Sequence, residues 1–210
     1  MTDWATISAL ATAGGTLVLA IATFGSVRSA NRAARAAERS LLAGLRPLLI
    51  PSRLQDPAEK VGFMDEHWVK VAGGHGLAEA RDEAIYLAIA VRNAGTGMAV
   101  LHGWFFHPDR LVAVDEHPEA GAFHRLTRDL YVPAGDGGFW QGAFRDPADP
   151  QFAQARHAIN AKRAITIDLL YGDYEGGQRM ISRFTLTPLE DGSWLAAAAR
   201  HWNLDRPNPR

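Results

Sequence analysis

"IYLAIAVRNAGTGMAVLHGWFF", residues 85–106, decides the fold class. Ile85, Leu87, Ile89 and Val91 alternate with Tyr86, Ala88, Ala90 and Arg92, a period of two that predicts a half-buried β-strand. Asn93–Gly97 then turns the chain, and Met98–Phe106 continues extended. Gly95 and Gly97 are expected at positive φ in a bulged hairpin, with Asn93 bonding the turn backbone. The same glycines begin a dinucleotide fingerprint. It lacks its third glycine, since Val100 stands there, and no helix follows.

Similar signals recur on both sides. Leu48–Ile50 and the pair Val69 and Val71 predict short strands, the second ending at "GGHG" (73–76). Further strands are expected at Leu111–Val114, Arg125–Val132, Gly138–Phe144, Ile165–Tyr171, Met180–Thr187 and Ser193–Ala199. "PAGDGG", "GDYEGG" and "PLEDG" are the turn signals among the later ones. One interruption, "DPADPQFAQARHAINAKR" (146–163), places Phe152, Ala155 and Ile159 at helical spacing and predicts a short helix over 151–161. Residues 46–204 are therefore expected to form a mainly β domain, an immunoglobulin-like antiparallel β-sandwich with one inserted helix. A barrel is the competing architecture, and the paired cysteines of true immunoglobulin domains are missing. The tail from 205 to 210 is expected to fray.

The N-terminal part is different. Trp4–Val27 is a run of 24 residues without a charge. As a helix it is about 36 Å long, enough to cross a hydrocarbon core of about 30 Å with some tilt. Its strongest apolar residues are Leu17, Val18, Leu19, Ile21, Phe24 and Val27, and Trp4 is placed as an interfacial anchor. A secretory signal would carry positive charge before the apolar run, whereas here the positives follow it. A buried helix would show a more polar face. Residues 4–27 are thus read as a transmembrane helix, and residues 28–45 as its basic juxtamembrane continuation.

In that continuation Arg28, Arg32, Arg35 and Arg39 fall on a stripe about 60° wide. The expected partner is a bilayer with anionic head groups. Positive residues stay on the cytoplasmic side. The expected topology is therefore a single-pass protein of a bacterial cell membrane, N-terminus outside and β domain in the cytoplasm. Ala5, Ala9 and Ala13 repeat at four-residue spacing, which permits a homo-oligomer through the helix.

Charge and composition limit the function classes. Residues 28–53 carry net +5 and residues 54–210 net −5, so the folded part lacks the basic surface that nucleic-acid binding needs. Cysteine is absent, which removes disulfides, thiolate nucleophiles and cysteine-ligated zinc. The short span, the basic helix, the "RP" at 46–47, the "RNAGTGMA" loop and the late "YGDYEGGQ" hairpin together resemble a group of uncharacterised bacterial, often actinobacterial, single-span membrane proteins. That resemblance implies a membrane anchor carrying a small β-sandwich. It implies no catalytic residue.

Candidate chemistry is sparse. The eight histidines are scattered, and the densest acid–histidine group is Asp109, Asp115, Glu116, His117 and His124. Zinc needs three or four converging ligands, so neither metal nor cofactor is expected. Asp173, Glu175 and Asp191 sit at glycine turns, and Asp168, in mid-strand, is expected on the sandwich's outer face. Phe139 and Trp140 follow "GDGG" and are candidates for an exposed partner contact. These features favour a membrane-anchored, non-enzymatic interaction or assembly module with an unknown protein partner. The alternative is a membrane-anchored hydrolase or metal-dependent enzyme using the loop carboxylates and histidines.

Overall fold

The computed structural model describes residues 3–111 and 115–205. The chain divides into two compact units between Ala43 and Gly44. The first is a single helix, α1 (Trp4–Gly44), of 41 residues. The expected anchor and its basic continuation are one uninterrupted helix, about 60 Å long at 1.5 Å per residue. Its stretch Ile7–Leu42 is the one described helix long and apolar enough to cross a membrane. Trp4, Leu17, Leu19, Ile21 and Phe24 all stand exposed on it. The hydroxyls of Thr12 and Thr16 donate to the carbonyls of Ser8 and Thr12 at 2.9 and 2.8 Å. Bonded back in this way, they present little polarity outward.

The second unit is mainly β, as the alternating pattern predicts. Its strands are β1 (Leu49–Pro51), β2 (Glu59–Gly62), β3 (Trp68–Val71), β4 (His75–Ala80), β5 (Ile85–Asn93), β6 (Ala99–His107), β7 (His124–Val132), β8 (Gly137–Phe144), β9 (Ile165–Asp173), β10 (Arg179–Pro188) and β11 (Trp194–Asn203). Among the described residues one α-helix, α2 (Pro150–Asn160), and a single 3-10 turn at Ala120–Ala122 interrupt them. Every strand pairing is antiparallel. Nine strands form one curled sheet in the order β8–β5–β4–β11–β10–β9–β6–β7, with β1 on β5 beyond the end of β4. β2 and β3 form a separate hairpin. The sequence shows no strong signal for β2, and the "GGHG" ends the strand before it as expected, since β3 stops at Val71, while its last two residues open β4. Gly74, at φ +72°, makes that turn, and a Cβ on Gly76 would press on Leu186 Cδ2 at 2.6 Å. The expected strand at Leu111–Val114 falls mostly on residues outside those described.

The core lies inside the curl. Ile85, Leu87, Ile89 and Val91 of β5 meet Trp104 and Phe106 of β6, Ile167 and Leu169 of β9, and Phe184 and Leu186 of β10. α2 contributes Phe152, Ala155, Ala158 and Ile159 to the same cluster. Asp149 starts that helix by accepting from Gln151 N at 2.8 Å, with Pro150 in the first turn. The prediction of a half-buried β5 is corrected. Tyr86, Ala88 and Ala90, on its outer face, are buried too, under Val61, Phe63 and Val71 from the β2 and β3 region. β9 is likewise buried along its whole length.

The Asn93–Gly97 loop corrects a second expectation. Gly95 and Gly97 do not have positive φ. They are required because residues 45–48 run against them: a Cβ on Gly97 would overlap the Leu45 carbonyl, and one on Gly95 the Arg46 carbonyl. Asn93 bonds the turn as expected, and holds that leading segment as well. Its Oδ1 accepts from Leu48 N at 3.0 Å and Gly95 N at 2.9 Å, while Nδ2 donates to Gly97 O at 2.7 Å and Val132 O at 3.0 Å. Gly97→Ala is therefore expected to destabilise the domain by about 1–3 kcal/mol, because backbone cannot give way as a side-chain tip does. Chemical denaturation in detergent checks this, with Gly121→Ala, which meets nothing within 4 Å, as the neutral control.

Candidate functional site

The residues singled out in the sequence are dispersed by the fold. Asp173 accepts from Gly177 N at 2.7 Å and from Gln178 Nε2 at 3.2 Å, closing the β9–β10 turn. Asp191 accepts from the backbone and hydroxyl of Ser193, at 2.9 and 2.6 Å, in the β10–β11 turn. Glu175 is exposed at the first of these turns. Asp173 and Asp191 thus perform turn chemistry, as expected. The acid–histidine group also separates. His124 meets Gln151 at 2.7 Å and stacks on Trp104, His117 meets the Pro118 carbonyl at 2.9 Å, and Asp115 pairs with Arg200. Among the described residues no cluster of three or more His, Cys, Asp or Glu side chains is placed to hold a metal ion.

Phe139 and Trp140 are not an exposed tip. Trp140 is wholly buried, its ring edge-on to Trp104 at 5.6 Å between centroids. The reason is strand alternation: residues 140 and 144 of β8 face the core, leaving 139 and 141 outward. Phe139 is half-buried, with the Arg128 guanidinium 5.6 Å above its ring. Arg128 also donates to Gln141 Oε1 at 2.8 Å, so this pair ties β7 to β8.

Asp168 is the largest departure from expectation. It lies on the outer face of β9 but is fully buried. Arg183, its direct partner on β10, donates from Nε and Nη2 to the two carboxylate oxygens, each at 2.7 Å. His107 Nε2 approaches Asp168 Oδ2 at 3.0 Å. Burial alone would raise the Asp168 pKa. The bonds from Arg183 and His107, and their charges, outweigh it and hold the carboxyl below its usual range. Arg183 also lies 4.7 Å over the Trp202 ring and donates to the Glu116 carbonyl at 3.1 Å. Trp202 Nε1 donates to the Asp115 carbonyl at 3.1 Å. The cluster thus pins the segment after β6 over the sheet. Its acid accepts from two donors of Arg183 and faces His107 out of reach of water, which suits anchoring.

A signal for this pair existed in the sequence. A hairpin folded midway between Glu175 and Gly176 sets residue 168 opposite 183. An Asp directly across from an Arg, flanked by apolar neighbours, is a charge pair the sheet can bury.

No sequence signal marks a concavity of the domain that combines charge with an apolar floor. It opens where the β6 ladder is interrupted. Against β9, Leu101 and Gly103 pair with the adjacent residues Tyr171 and Leu170, so His102 is extra. Against β7, the same two residues pair with Leu130 and Arg125, leaving Leu126–Asp129 outside the register. Between them lies a groove of about 670 Å³. Leu101, Phe123, Leu126 and Leu170 give it an apolar floor, and His102, Arg125, Asp129 and Arg179 stand around it. Loss of water lowers the pKa of His102, with the nearby Asp129 charge opposing and Arg179 adding to that effect. The neutral imidazole is favoured by this environment. Its ring lies over Gly172, where a Cβ would come within 3.0 Å of Nε2. Bulges often sit beside functional sites, because they re-aim a side chain that a regular ladder would align.

No family model matches the chain, and no curated protein or solved structure matches it either.

Proposed function

We propose that the chain is a membrane-anchored interaction or assembly module, with α1 spanning the bilayer of a bacterial cell and the β domain held at its cytoplasmic face. The observation that carries this reading is the apolar stretch of α1 running directly into arginines. Ile7–Leu42 offers exposed Leu17, Val18, Leu19, Ile21 and Phe24, whose exposure to water lipid would remove. Arg28, Arg32, Arg35 and Arg39 follow on one side of the helix. Basic residues flanking a span are retained in the cytoplasm, and each contributes roughly 1 kcal/mol near anionic head groups. The clamp of Asn93 on residues 45–48 supports the same reading, since an anchor needs a firm attachment at the start of its domain.

Replacing Arg28, Arg32, Arg35 and Arg39 together with alanine is expected to weaken retention of the domain inside. A C-terminal alkaline phosphatase fusion, silent on the native chain, should then gain activity. Unchanged silence would show that these charges do not set the topology. For the module itself, the test is affinity capture of the full chain from detergent-solubilised membranes. Recovery of a stoichiometric partner, or of a second copy, is expected. Recovery of neither would refute a module role.

A further inference from the structure

The geometry points to the groove over His102 as a binding site for a small organic monocarboxylate with an apolar body. This goes beyond the anchoring role and does not depend on it. The volume of about 670 Å³ falls in the range of small-ligand pockets. The opening is built into the sheet: His102 is surplus against β9, and Leu126–Asp129 is out of register on β7. The apolar floor of Leu101, Phe123, Leu126 and Leu170 can take a hydrocarbon or aromatic body of the ligand.

The charges around that floor select the head group. Arg179 is already engaged by Asp205, to which it donates from Nη2 at 2.7 Å. The Arg125 side chain has no hydrogen bond or ion pair among the described residues, and the residue stands exposed on the groove wall. A free guanidinium next to an apolar surface matches a planar carboxylate, which it can grip with two parallel N–H bonds. His102 also has no hydrogen-bond partner among the described residues. As a neutral imidazole it offers one N–H donor without adding charge. Asp129 opposes a second negative charge. That disfavours dicarboxylates and phosphate and leaves a monoanion as the best fit.

The probe is 4-phenylbutyrate, titrated into the full chain in phosphatidylcholine nanodiscs with labelled histidine side chains followed by NMR. The His102 signal is assigned from its loss in His102→Gln. A saturable shift of that signal is expected, together with an upward move of its titration midpoint, because a bound carboxylate favours the imidazolium. The neutral amide, 4-phenylbutyramide, is expected to bind at least tenfold more weakly. Arg125→Gln should weaken the acid tenfold or more while leaving the amide unchanged. Inorganic phosphate should leave the His102 signal in place. The proposal is overturned by any of three results: no saturable shift with the acid, equal affinity for acid and amide, or saturable binding of phosphate at His102. Since the acid–amide comparison uses the native chain, misfolding of a variant cannot rescue the proposal.

Discussion

Arg183→Met is expected to destabilise the β domain by about 3–5 kcal/mol, the usual cost of removing one partner from a buried ion pair. The reason is what it leaves behind. Asp168 would keep His107 but lose both guanidinium bonds, and it has no access to water. The variant also removes the donor to the Glu116 carbonyl, loosening the segment over the sheet. In the native chain the Asp168 carboxyl is depressed below its unfolded value. Its contribution is therefore fully present above the unfolded carboxylate range and is lost as pH falls through the folded value. In Arg183→Met the sign should reverse, because burial then raises the same carboxyl above its unfolded value and acidification relieves the cost of holding it ionised. Unfolding of the full chain in detergent, followed across pH, measures both effects. A cost under about 1 kcal/mol would contradict the assignment of a buried, coupled pair. The double variant Asp168→Leu/Arg183→Met is expected to recover much of the loss, since it leaves no unpaired charge.

Trp140→Ala should cost a comparable 3–5 kcal/mol, about what removing a buried aromatic ring costs when the cavity cannot collapse. Collapse is hindered on both sides. Trp104 stands edge-on to the ring, and a Cβ at Gly142 would come within 2.7 Å of Trp140 Cζ2 and 2.8 Å of Trp104. Trp140→Phe is expected to cost far less. The indole N–H of Trp140 is buried without a hydrogen-bond partner among the described residues, so its removal offsets part of the lost packing. Phe139→Ala, next to it but half-buried, should cost less, about 1–2 kcal/mol, through its packing against the Val61, Phe63 and Val71 cluster and its contact with Arg128. Equal losses at 139 and 140, measured by the same unfolding assay, would contradict the assignment of inward and outward faces on β8.

The architecture was largely legible, because period-two alternation and glycine turns are local signals. β5, β6, β9 and β10 fall where Ile85, Leu101, Ile165 and Phe184 lead one to expect them, and the helix over 151–161 is one residue from α2. What sequence periodicity could not show is which outer faces become covered. The small outward side chains of Ala88 and Ala90 suit packing beneath a hairpin, but they suit solvent equally well until β2 and β3 are placed. The same blindness put Asp168 at the surface and Trp140 at a tip. Gly95 and Gly97 were recognised as a turn, but their reason is tertiary: residues 45–48 pass against them from the start of the domain. The groove was the least legible feature. It arises from a register mismatch among three strands, and no single strand carries a sign of it.

In the proposed topology α1 crosses a membrane and leaves the β domain on the cytoplasmic side. The native chain has no cysteine, so single cysteines report without background. Asp3→Cys precedes the apolar helix, and Tyr174→Cys lies exposed in the β9–β10 turn. With a membrane-impermeant maleimide on intact cells, Asp3→Cys should be labelled at once, and Tyr174→Cys only after the membrane is opened. Labelling of Tyr174→Cys in intact cells, or protection of Asp3→Cys, would contradict the account.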